Sequence, residues 1–179
     1  LSVLEKVTHL ADDIYARICH DSSLPCTELG KGQKCVSTDL ARAILFEADR
    51  RICQEYLGGQ GGFESTRLAI YPFMVELLEN MESVENGSSK FRKWIVYSGH
   101  DSLIAPVLAA LGTFDCKWPP YASHIEFELW SQSECGSERS DLVKDEKNKK
   151  DCSGTFVKIL YNGKVVTNLI KGCSEASKG

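Results

Sequence analysis

An α/β fold is predicted by three features of this sequence. Its first half carries apolar residues at helical spacing. Near residue 99 a strand-like run meets a helical run across a glycine turn. Its last third alternates apolar and polar residues as half-buried strands do. The chain has 179 residues, 42% of them hydrophobic and 26% charged, which suits one domain with a real core. A formal net charge of −4 argues against a nucleic-acid binder, which normally shows a basic stripe. No apolar stretch reaches bilayer length, so a membrane anchor, if there is one, is expected outside these residues.

Residues 1–19 are expected to form a helix, with Val3, Val7, Leu10, Ile14 and Ile18 in one stripe. Residues 20–36, rich in Asp, Ser, Pro, Gly and Cys, read as a loop. Ser37 or Thr38 caps a second helix that turns Leu40, Ile44, Ala48, Ile52 and Tyr56 inward and ends at Gly58 to Gly62. A third helix is expected from Thr66 to Met81, with Pro72 in its early turns, followed by a polar loop from Glu82 to Lys90. Residues 93–97 form a strand, and Trp94 and Tyr97 are core candidates. A helix follows to Leu111, and Pro119-Pro120 marks a connection. Residues 125–130, Thr155 to Tyr161 and Lys164 to Leu169 are strands, the last two joined at Asn162-Gly163, a strong hairpin turn.

Eight cysteines are many for this length. No C-x-x-C pair occurs, and the four histidines stand at no zinc spacing relative to the cysteines. Disulfides in an oxidising compartment follow. Cys135 and Cys152 bracket a charged insert between two predicted antiparallel strands and are expected to pair; Cys26–Cys35 is a looser expectation. Asn86-Gly87-Ser88 is a glycosylation sequon in a polar loop and points the same way, to a secretory-pathway lumen or the extracellular space.

Ser98-Gly99-His100-Asp101-Ser102 stands where the predicted strand ends and the helix begins. Backbone N–H groups point outward at such a turn and favour an anion. An imidazole beside a carboxylate there suggests phosphate chemistry, one group to hold the anion and one to move a proton. The plainer alternative makes Asp101 an ordinary helix cap.

YSGHDS after a strand, then a helix, then WPPYAS and a strand ending FELW, resembles the second half of the histidine acid phosphatases. RLAIYPFMVELLENM is similar to the helix before the His-Asp strand in that family. Within it, FELW with VKILYNGKVVT looks most like the 2-phosphoxylose phosphatase branch, which acts on the proteoglycan linker in the Golgi, and LGTFDCKWPP resembles the lysophosphatidic acid phosphatase branch. The resemblance implies a phosphoglycerate mutase-like three-layer α/β/α sandwich and two-step phosphomonoester hydrolysis through a phosphohistidine. It implies that His100 contacts phosphoryl oxygens and Asp101 protonates the leaving oxygen. It implies a phosphorylated small molecule or glycan as substrate, and no metal or other cofactor.

The family's nucleophile motif, R-H-G-x-R-x-P, does not occur in these residues: His9 lies in T-H-L, His20 in C-H-D and His124 in S-H-I-E. Only one central strand is visible, where an α/β sandwich needs several. The chain is therefore expected to be the C-terminal part of a longer protein. Its sheet would be incomplete, its nucleophile half supplied in cis, and the segment inactive alone. Residues 1–62 are expected to belong to a helical cap and 63–179 to the α/β domain. The competing reading is a non-catalytic luminal binding protein on the same scaffold. Arg50, Arg51 and Arg67 are expected on solvated surfaces, and His124 in a structural or surface position rather than a catalytic one. Trp118-Pro119-Pro120-Tyr121 either lines a substrate entrance or packs as a loop.

Overall fold

The computed structural model of the chain describes residues 3–29, 32–59, 61–87, 92–132 and 154–173. Helix α1 spans Val3–Cys19, strands β1 and β2 span Cys26–Leu29 and Gly32–Cys35, and α2 spans Thr38–Leu57. Helices α3 (Gly62–Glu85) and α4 (Asp101–Ala110) follow. Strands β3 (Ile125–Gln132), β4 (Gly154–Tyr161) and β5 (Lys164–Val165) come last, with a short 3-10 turn at Thr167–Leu169.

The expected helices form because their apolar stripes have one another to cover. Ala11 and Ile14 of α1, Ala48 and Ile52 of α2 and Ile70 of α3 are buried, as are Ala105, Val107, Leu108 and Ala109 of α4. α2 lies at the centre of this cluster, packed on α1, α3 and α4. The Ser37 side chain accepts the Leu40 N–H and caps α2 as its sequence predicts. Leu40 and Ile18 end up exposed, because each sits in the terminal turn of its helix. α3 begins at Gly62 and runs to Glu85, longer at both ends than Thr66 to Met81.

The segment read as a loop at 20–36 contains a small antiparallel hairpin, β1–β2. Cys26 faces Cys35 across its register, and the two form a disulfide, as expected. A second disulfide, Cys53–Cys116, joins α2 to the loop after α4. Cys135 and Cys152 lie outside the described residues.

β3 and β4 pair antiparallel from Ile125↔Tyr161 to Gln132↔Gly154. Asn162 and Gly163 both take positive φ, 49° and 75°, as a two-residue hairpin turn requires. The last predicted strand keeps only two residues, β5, before the chain turns into the 3-10 segment.

Residues 93–97 depart most from expectation. They join no sheet among the described residues. Trp94 is 81% exposed and Val96 72% exposed, so Trp94 is not a core residue. Only one side is covered: Tyr97 meets Phe73 of α3 edge to face, and its hydroxyl donates to Glu76 and accepts from Asn80. The α/β class holds, and the described residues do not complete a central sheet.

Candidate active site

α4 starts directly at Asp101, with His100 as its N-cap in an extended conformation. The His100 carbonyl accepts the N–H groups of Leu103 and Ile104, which closes the first turn. The Asp101 carboxylate accepts the N–H of Ser102 at 2.8 Å, so it does act at the helix start. That bond engages one of its two oxygens; the N-cap position belongs to His100, so Asp101 is not the cap that the plainer alternative made it. A Cβ on Gly99 would come within 2.7 Å of Leu103 Cδ2, the far end of a side chain, so Leu103 would have to shift to admit it.

His100 and Asp101 open onto a cleft of about 560 Å³. Thr8, His9 and Asp12 of α1 form one wall, and Trp118 through Ser123 form another. The Trp-Pro-Pro-Tyr segment lines the cleft and is also a packed loop, with Pro119 buried, so the two readings do not exclude each other. His9 and Asp12 escaped sequence reasoning, because nothing local marks a contact between α1 and a turn 90 residues further on.

Three anchors hold the loop 118–123. The Tyr121 hydroxyl donates to the Asp12 carboxylate at 2.6 Å. The Trp118 N–H donates to Asp49 of α2 at 2.8 Å, and the same oxygen accepts the Tyr15 hydroxyl of α1 at 3.3 Å. At the far end, Asn162 of the hairpin turn exchanges hydrogen bonds with the His124 backbone and donates to the Ser123 hydroxyl. The hairpin thus positions one wall of the cleft. Ala122 takes a left-handed φ of 60° inside this loop, a conformation that β-branched residues avoid.

The field in the cleft is negative. Tyr121 is pushed up to about 12, first by its bond to Asp12 and then by burial and the charge of Asp12, with a smaller contribution from Asp101. Tyr56, half buried behind the α4 turn, is also raised to about 12, chiefly by burial, then by Glu55 and Asp101. A negative pocket holds a phosphoryl dianion only if cations are added, and no arginine among the described residues lines it. Arg50 and Arg51 pair with Glu47 on α2, and Arg67 pairs with Glu64 and lies over the Phe63 ring. His124, exposed beside the cleft, lies 3.2 Å from a Glu126 carboxylate oxygen. Asn86 is exposed at the C-terminal end of α3. No group of His, Cys, Asp or Glu among the described residues is arranged to hold a metal ion.

The sequence pattern of the histidine phosphatase superfamily, branch 2, matches residues 53–162. Among curated proteins, the chain is 30% identical to counting factor 60 of Dictyostelium discoideum, over 98% of the chain and 34% of that protein. It is 30% identical to human 2-phosphoxylose phosphatase 1, over 93% of the chain and 30% of that protein. It is 29% identical to mouse lysophosphatidic acid phosphatase type 6, over 93% of the chain and 33% of that protein. The likeness therefore extends through α1 and α2 as well as the region after residue 65, and the chain spans about a third of the length of these relatives.

Proposed function

The chain belongs to branch 2 of the histidine phosphatase superfamily, and on that premise we propose that it carries the proton-donor half of a phosphomonoesterase site. Its relatives include phosphatases named for 2-phosphoxylose and for lysophosphatidic acid. The observation that carries the reading is the place of His100 and Asp101, side by side on the first turn of α4 and open to the cleft. Asp101 protonates the oxygen of the departing alcohol, and His100 holds a phosphoryl oxygen. Sugar and alkyl alkoxides are poor leaving groups, so a positioned acid speeds their departure by about 10² to 10⁴.

The nucleophile and the arginine clamp of the family are expected from an R-H-G-x-R-x-P segment outside these residues, joined in cis. Residues 1–62 act as a cap, with α1 forming a wall of the cleft. The substrate is a phosphorylated small molecule or glycan, of which 2-phosphoxylose is one candidate. Two disulfides and the exposed sequon at Asn86 support a luminal or extracellular location. No described helix is long and apolar enough to cross a membrane.

The test is a leaving-group comparison in an active protein that contains these residues. Asp101→Ala should slow hydrolysis of an alkyl phosphate at least about 100-fold more than that of p-nitrophenyl phosphate. Equal losses on both would remove Asp101 from the donor role. A parent sequence that lacks the nucleophile motif would favour a second reading, a binding protein that kept the cleft. Phosphomonoester binding without turnover in the parent protein would select it.

A further inference from the structure

We propose that His9 is a substrate-contacting residue of this cleft, reaching from α1 to a hydroxyl-bearing leaving group of the phosphomonoester. The inference rests on the reading of His100 and Asp101 given above and assigns the other side of the same site. His9 lines the cleft that these two residues open onto, although 90 residues of chain separate them. A volume of about 560 Å³ is far more than a phosphoryl group fills, so a phosphate held at His100 leaves room for its alcohol between α1 and the loop 118–123.

α1 is well fixed for such a task. Asp12, one turn beyond His9 on the same face, receives the Tyr121 hydroxyl on its carboxylate at 2.6 Å and on its backbone carbonyl at 3.3 Å. Tyr15, a further turn on, is tied through Asp49 to the N–H of Trp118. These bonds set the rotation of α1 against the loop and so present His9 to the cleft. Asp12 itself is occupied by Tyr121, and His124 by Glu126. The His9 ring is exposed and has no hydrogen-bond or ion-pair partner among the described residues. The charged and titratable groups that share its cleft are Asp12 on α1, His100 and Asp101 at the start of α4, and Tyr121 from the loop. A ring N–H of His9 can donate to an oxygen placed in the cleft. A hydroxyl or ring oxygen of a polyol accepts such a bond.

The test uses a longer protein that contains these residues together with the arginine-bearing segment, its nucleophile histidine replaced so that binding is read without turnover. Imidazole resonances of His9, His20, His100 and His124 are followed by NMR at fixed pH while inorganic phosphate, or separately β-glycerophosphate, is titrated in. Inorganic phosphate should shift His100 with little change at His9. β-Glycerophosphate should shift His9 and His100 along one binding curve, with His20 and His124 unmoved. His9→Gln should weaken β-glycerophosphate binding about threefold, the size of one exposed hydrogen bond, and leave inorganic phosphate binding unchanged. Tyr121→Phe, which frees α1 from the loop, should reduce the His9 shift without removing that of His100. A saturable shift at His100 with His9 unmoved by either ligand would overturn the role of His9 and leave the phosphate contact standing. No saturable shift at His100 would overturn the phosphate reading itself, and this inference with it.

Discussion

Ile125–Gln132 and the run from Trp94 to Tyr97 are both apolar, β-prone stretches, yet only the first becomes a strand. β3 finds β4 through a single connection and pairs along its full length. The run at 94–97 has α3 against one side and leaves Trp94 and Val96 open on the other. The difference lies in the partner rather than in the segment. A strand's backbone groups need a neighbour to bond, and an apolar face needs something to cover it. The hairpin contains both within its own sequence. The run at 94–97 leads straight into His100 and Asp101, so the uncovered part of the fold adjoins the incomplete part of the site.

The contrast is sharpest in stability. Ile159 of β4 is 7% exposed, and Ile159→Ala should cost about 3 kcal/mol in chemical denaturation. Val96→Ala should cost less than about 0.5 kcal/mol, because so little of its side chain is buried. A comparable loss at Val96 would mean that the run is packed within this chain after all. The next effect is on association. Trp94 and Val96 present a contiguous sticky surface. The double variant Trp94→Lys, Val96→Lys should lower self-association in sedimentation velocity, while Trp130→Lys on the hairpin should not.

Gly99→Ala should destabilise by about 1 kcal/mol, since its Cβ would meet Leu103 before the first turn of α4 closes. Thermal unfolding measures it, and a neutral result would show that Leu103 yields freely. The smallest effect is alkaline. The folded-state phenol of Tyr121 is raised to about 12, above the ordinary value near 10. Its contribution to stability is therefore full below about pH 10 and is lost as pH rises through about 12. Tyr121→Phe should flatten the fall in stability over that window. Tyr15 and Tyr56, also raised to about 12, keep part of the slope in place. An unchanged slope would mean that the bond to Asp12 is not held in solution.

Local chemistry explains what was legible in the sequence. The stripes of α1 and α2, the Ser37 cap, the Asn162-Gly163 turn, the Cys26–Cys35 pair and the His100-Asp101 helix start all lie within short windows. The β1–β2 hairpin was hidden because its residues are polar and mostly of low β-propensity, and the Cys26–Cys35 disulfide ties its ends together. Cys53–Cys116 could not be read from spacing, nor could the meeting of Tyr121 with Asp12 across 109 residues. The cleft is built from such distant contacts, so its turn was predictable and its walls were not.

The central claim is that these residues hold a proton donor and a phosphate contact without the nucleophile. Its most direct test is hydrolysis of p-nitrophenyl phosphate by the 179-residue chain, checked for folding by circular dichroism, from about pH 4 to 8. No turnover above buffer at any pH is the predicted result. Turnover that His100→Ala or Asp101→Ala abolishes would contradict it and require a nucleophile within the chain.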